Sequence, residues 1–346
     1  MRTLCISLQI LLVILSCGCQ RLVADVQTLP EVTGVVTEET KERVHIHNSA
    51  NLLLLAGEFA RLEEMAKEFR ISKATYYDGN WKLTSFYLGV SEPANDEAGA
   101  EWDQLLGKLK TWAKENPNSV TARVALAEAL AGYAWKARGP SWSHDVTEEG
   151  SRLMNERLSQ SWQVLVEARS LSTKCPGWWA TAQKVALGQG WGRARYDELF
   201  QDAIRFEPTY IMYHYRKALY LQPRWYGEEG EFGRFLESVA NNIGGEEGNI
   251  LYARIIWNLE FMRFDKEFLQ APGVSWLRAK QGFGALINKY PDSLSIKSEY
   301  CLLSRLARDR GQMKELFAQI GGRMDMRVWR ENKGRFIEDR KWAYQN

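Results

Sequence analysis

Arg224-Trp225-Tyr226 stands directly after Pro223, in a turn between two helix-forming stretches. Proline fixes the backbone there, the two aromatic rings offer flat faces, and the guanidinium offers a planar fork of donors. Such a set suits recognition of another molecule better than bond cleavage. The competing assignment is mechanical: Trp225 caps a hairpin core and Arg224 meets a helix C-terminus. Trp191 and Arg195, one hairpin earlier, are the other candidate contact residues, again an aromatic face beside a cation.

Other residues point to chemistry less directly. Glu228, Glu229, Glu231, Glu246 and Glu247 flank Trp225, Tyr226 and Phe232. Carboxylates beside aromatics are what a glycan-cleaving site requires. They are also what helix N-termini require to complement their dipoles. His45 and His47 flank Ile46; on a strand they would share a face and, with help from elsewhere, hold a metal. The plainer alternative is the solvated end of a tether. His144 lies beside Asp145, and His214 beside Tyr213. Cys175 and Cys301 lie in different hairpins, and pair only if the fold brings them together. No HExxH, GxSxG, P-loop or CxxC pattern is present. The expectation is therefore no catalytic residue, no metal and no cofactor.

The first sixteen residues read as a secretion signal, with Arg2 at the start and an apolar run over Ile6–Leu15 that is short for a membrane span. Ile14-Leu15-Ser16-Cys17 looks like a bacterial lipobox, which makes Cys17 the residue to be acylated; Cys19 is the alternative. Each buried methylene of an acyl chain contributes roughly 0.8 kcal/mol, so several chains anchor stably. The residue that follows is Gly18 or Gln20, not an aspartate, which allows an outer-membrane destination. The formal net charge of +2 gives no electrostatic case for nucleic acid. Basic residues interleaved with Trp329, Phe336 and Trp342 near the C-terminus read as the solvated face of a capping helix. The fourteen tryptophans are the compositional oddity. Each brings a large apolar area and one N–H that wants an acceptor.

The elements that position these residues are helical. Gly190–Pro208 has Tyr196, Leu199, Phe200, Ala203 and Ile204 on one face and charges on the other, and Pro208 stops the helix. Thr209 is expected to cap the next helix. The same reasoning gives helices over Ser49–Phe69, Trp81–Val90, Ala98–Glu115, Val120–Ala137 (capped by Ser119), Thr147–Ser172, Glu228–Ile243, Glu246–Met262 and Val274–Lys289. Ser293–Asp309 and Gln312–Gln319 follow, with Gly311 as the turn, and a basic helix over Asp325–Tyr344 closes the chain. The expected organisation is a signal over residues 1–16, a membrane tether over 17–48, an N-terminal helical region over 49–93 and a helical repeat domain over 94–346.

Phe200, Ala203 and Pro208 stand at the offsets of a tetratricopeptide unit, which predicts an all-α stack of antiparallel hairpins with irregular repeats. The unit is degenerate, with Tyr196 and Ala180 at positions that usually hold alanine and tryptophan. A longer set of residues also carries a resemblance: Ala134-Trp135-Lys136-Ala137-Arg138-Gly139, Cys175-Pro176, Gly190-Trp191, Leu221–Trp225 with Gly227, and Gly245-Glu246-Glu247-Gly248. It is similar to the bacterial family catalogued as domain of unknown function 4034, over about residues 50–320. The resemblance implies a tetratricopeptide-like fold and a bacterial origin, and carries over no catalytic residue. The expected function is a lipid-anchored scaffold of the bacterial cell envelope that binds a protein or peptide partner. The alternative is glycan or peptidoglycan binding through Trp and Tyr, with hydrolysis by the acidic groups.

Overall fold

The computed structural model describes residues 30–94, 99–140, 143–260 and 268–345. The stretch expected to be a secretion signal, with Cys17 and Cys19, lies outside them. The chain divides into two compact units, one formed by Glu38–Pro291 and the other by Met1–Thr37 with Asp292–Asn346. Among the described residues there are fifteen α-helices and two three-residue strands, so the fold is all-α. No helix among them is long and apolar enough to cross a membrane.

The larger unit contains α1 (Glu38–Ala56), α2 (Phe59–Ser72), α3 (Lys82–Ser91), α4 (Gly99–Glu115), α5 (Val120–Arg138), α6 (Glu148–Arg169), α7 (Pro176–Gly188), α8 (Arg193–Phe206), α9 (Met212–Tyr220), α10 (Glu231–Ile243), α11 (Gly245–Glu260) and α12 (Trp276–Lys289). Successive helices pack as neighbours from α4 onward, and the odd-numbered α3, α5, α7, α9 and α11 also touch one another in turn. Residue type explains the second set of contacts. A helix with one apolar stripe buries one side, whereas a helix that is apolar or small all round is packed on several. In α5 the alanines 122, 125, 127, 129, 131 and 134 are all buried. Nearly every residue of α7 and α9 is buried. In α8, by contrast, burial is confined to Tyr196, Leu199, Phe200 and Ala203. Ser119 and Thr147 cap α5 and α6 by accepting the N–H groups of Ala122 and Gly150.

The N-terminal part differs from the sequence reading. Residues expected in a tether fold instead, since α1 begins at Glu38 and buries Ile46, Ala50 and Leu54 at four-residue spacing. Val44 and Leu52 on the same helix are exposed, which hides the stripe from a search for periodicity. The helix expected over Ser49–Phe69 breaks at Gly57, whose φ of +79° suits glycine and where the Gly57 N–H closes on the Leu54 carbonyl. Because His45 and His47 sit on a helix, side chains two residues apart point to different sides and do not converge on a metal. Among the described residues no group of three His, Cys, Asp or Glu side chains is placed to hold one. Thr209 does not cap the next helix. Its hydroxyl and N–H both donate to the Glu207 carboxylate, and α9 starts only at Met212.

The second unit pairs β1 (Thr33–Val35) in parallel with β2 (Arg323–Asp325) and packs α13 (Leu294–Leu306), α14 (Arg310–Ile320) and α15 (Lys333–Tyr344). Asp325 was expected to open the last helix. It ends β2 instead, accepting the N–H groups of Arg327 and Val328 and the Ser295 hydroxyl. Asn332 caps α15. The turn expected at Gly311 falls earlier, at Arg308 with a φ of +58°, and Asp309 caps α14. Trp329, Phe317 and Phe336 form a buried aromatic cluster, so much of the basic-aromatic C-terminus faces inward. Trp342 carries the guanidinium groups of Arg305 and Arg310 at 4.1 and 4.8 Å from its ring. Cys175 and Cys301 are free and buried, one in each unit, and the Cys175 Sγ lies 3.1 Å from the Tyr87 hydroxyl.

Candidate functional site: a tryptophan cleft

Pro176 occupies the first position of α7, where its missing N–H breaks no helical bond. That start places Trp178 and Trp179 in the first turn, with their rings 5.3 Å apart and nearly perpendicular. Trp178 turns inward and its indole N–H donates to the Leu165 carbonyl of α6 at 2.7 Å. Trp179 turns to the rim and stacks on Phe206, the last residue of α8, at 4.2 Å. Between α7 and α8 the chain turns through Gly190. The Trp191 backbone N–H there bonds the Ala186 carbonyl, and its indole N–H donates to the Gln189 side chain at 3.0 Å. Trp191 meets Trp162 of α6 edge to face at 4.7 Å.

These four tryptophans wall a cleft of about 450 Å³, within the range of ligand pockets. Its rim carries Arg169, Lys174, Arg195, Glu198 and Asp202. The Arg195 guanidinium lies 3.2 Å above the Trp191 ring and 5.7 Å from that of Trp162. Lys174 donates to the carbonyls of Arg169 and Leu171, closing the end of α6. Asp202 is ion-paired with Arg205 on its own helix. Inside the walls, the donors of Trp178 and Trp191 are spent on the protein, so those two indoles offer ring faces and carbon edges. Cys175 also lines the cleft, and burial pushes its thiol above the ordinary range.

The candidate contact residues fall into two groups. Trp191 and Arg195 belong to the cleft. Arg224, Trp225 and Tyr226 do not line it. Trp225 packs edge to face on Trp135 of α5 at 5.4 Å, with the Arg138 guanidinium 5.4 Å from its ring and Arg224 at 5.5 Å. Tyr226 is 42% exposed, and its carbonyl accepts from Arg193. The turn is held tightly at Gly227, where a Cβ would lie 1.8 Å from the Leu221 carbonyl oxygen. Trp225 is therefore packed against the helices, while Tyr226 remains available on the surface.

Two of the acidic groups, Glu231 and Glu247, have cationic partners. Glu231 opens α10, accepts the Glu228 N–H and pairs with Arg193. Burial would raise its carboxyl, but that N–H and Arg193 outweigh it and hold the group below its ordinary value. Glu246 and Glu247 lie in the first turn of α11, where a helix dipole favours them, and Glu247 pairs with Lys289. His144 is exposed beside Asp145. His214 is buried and pushed down to about 4 by that burial. Trp162, Trp178 and Trp179 were not singled out in the sequence. Their signal was the excess of tryptophan, which does not say which indoles converge.

No family model, no curated protein and no solved structure matches the chain.

Proposed function

We propose that this chain is a lipid-anchored protein of a bacterial cell envelope that holds a peptide segment of a protein partner in the tryptophan cleft. The observation that carries this reading is the wall chemistry: four indoles, two with their N–H groups already bonded to protein, around about 450 Å³ of space. A peptide's apolar side chains match such walls by area alone. A sugar ring carries hydroxyls all round that need partners when buried, and the polar side chains of the cleft are the five charged ones of its rim, with none between the indole walls. The alternate-helix contacts fit stacked hairpins of the tetratricopeptide type, an arrangement whose clefts receive extended segments. It also agrees with the resemblance to domain of unknown function 4034. The anchor rests on the apolar run before Cys17.

Photo-crosslinking tests the binding role in the intact envelope. A photoreactive phenylalanine analogue replaces Trp179 at the rim. The expected result is one discrete protein adduct, lost when Trp162→Ala is added. Glycan adducts without any protein adduct would overturn the reading, and so would no adduct of either kind. Tritiated palmitate tests the anchor. Label lost in Cys17→Ser and retained in Cys19→Ser is expected; equal labelling of both variants would remove Cys17 as the site.

A further inference from the structure

We infer that the segment taken into the cleft is acidic, presenting an aspartate or glutamate beside an apolar side chain, and that Arg195 receives the carboxylate. This rests on the cleft being a peptide seat and adds the chemistry of its ligand.

Arg195 is the observation that carries it. At 3.2 Å from the ring centroid, its guanidinium lies on the face of Trp191. Stacking occupies the face of a guanidinium and leaves its N–H groups, all in the plane, directed outward. Among the described residues no carboxylate or carbonyl takes those donors, although other arginines of this unit are paired: Arg43 with Asp78, Arg193 with Glu231, Arg278 with Glu237. Glu198, three residues on and suitably spaced for a helical pair, makes no ion pair with Arg195. The result is a cation held in place by an indole, in a cleft, with its bidentate edge open. Among the side chains of an unmodified peptide, a carboxylate is the group whose geometry matches that edge.

Charge around the cleft points the same way. Arg169, Lys174 and Arg195 are cations, Glu198 and Asp202 are carboxylates, and Asp202 is already neutralised by Arg205. A cationic ligand would seek an indole face. The Trp191 face is covered by the protein's own guanidinium, and Arg195 would repel it. Trp162, Trp178 and Trp179 remain for the apolar neighbour of the carboxylate.

The test uses the full chain in detergent micelles and fluorescein-labelled heptapeptide mixtures. Each mixture has Phe, Leu and Pro at three positions, and one further position is Glu, Gln or Lys. Binding is read by polarisation. Glu peptides are expected to bind about tenfold more tightly than Gln peptides, which is about 1.4 kcal/mol, with Lys peptides weakest. Arg195→Gln should abolish the preference by weakening Glu peptides alone, and Arg195→Glu should transfer it to Lys peptides. Arg195 is exposed, so both variants should melt like the parent chain. Equal binding of Glu and Gln peptides, each weakened by Trp162→Ala, would overturn the acidic ligand and leave the peptide seat standing. Binding of N-acetylglucosamine oligomers but of no peptide would overturn the seat as well. Binding of nothing would have the same consequence.

Discussion

Replacing Glu128 with glutamine keeps its volume and removes its charge, at a point where side chains from three of the odd-numbered helices meet. Glu128 is on α5. It accepts from Thr181 and Lys184 of α7 at 2.7 and 2.6 Å, and the Arg216 guanidinium of α9 lies at 3.9 Å. Burial alone would raise this carboxyl. The charges of Lys184 and Arg216, with the two hydrogen bonds, outweigh burial and bring it down to about 2 from an ordinary 4.5. At 1.36 kcal/mol per pH unit, that difference corresponds to about 3 kcal/mol of folding stability. Removing one member of a buried pair typically costs about 3–5 kcal/mol, which agrees. The folded state favours the ionised form, so the contribution is complete above pH 4.5 and is lost as pH falls toward 2. Urea unfolding followed by tryptophan fluorescence should show Glu128→Gln less stable by about 3 kcal/mol at pH 7, with the gap reduced to about 1.4 kcal/mol at pH 3. A gap below about 1 kcal/mol at pH 7, or one that does not change with pH, would refute the assignment of the charge network as a fastening between α5, α7 and α9.

His214 should act in a higher pH window. Its imidazole is held neutral by burial, down to about 4, so the unfolded chain takes up the proton first as pH falls below 6.5. Stability should therefore drop by about 2 kcal/mol more in the parent than in His214→Gln between pH 7 and pH 5; parallel curves in denaturant titrations would contradict this. Gly227→Ala forces a methyl group to within 1.8 Å of the Leu221 oxygen. Thermal melts should show a loss of about 2 kcal/mol, and an unchanged midpoint would mean that the turn is looser than its geometry implies. Because Trp225 lies outside the cleft, Trp225→Ala should leave binding of the Glu heptapeptides within about twofold of the parent, whereas Trp162→Ala should weaken it about tenfold or more; the reverse pattern in polarisation titrations would move the binding seat to the turn.

Most of the helices were legible in the sequence because their signals are local. Ser119 and Thr147 announce the helices that they cap, Pro208 ends one, and the single apolar face of α8 repeats at helical spacing. The all-α class follows from such signals summed along the chain. Where local signals were weak the reading failed. α1 buries only a narrow stripe and exposes Val44 and Leu52, so it passed for a tether. Asp325 has the residue type of a cap, and which backbone it bonds depended on the pairing of β1 with β2 across almost three hundred residues. The candidate site divided in the same way. Trp191 and Arg195 could be chosen from residue type, as a flat face and a cation near a turn. That the cation lies on that face, and that Trp162, Trp178 and Trp179 close around it, depends on how α6, α7 and α8 pack. Helical periodicity states which side of a helix is buried, and only packing states against which neighbour. By itself the sequence determined the all-α class, most of the helices and the excess of indole. The tertiary structure decided which indoles meet, because their meeting is a contact between segments that share no local signal.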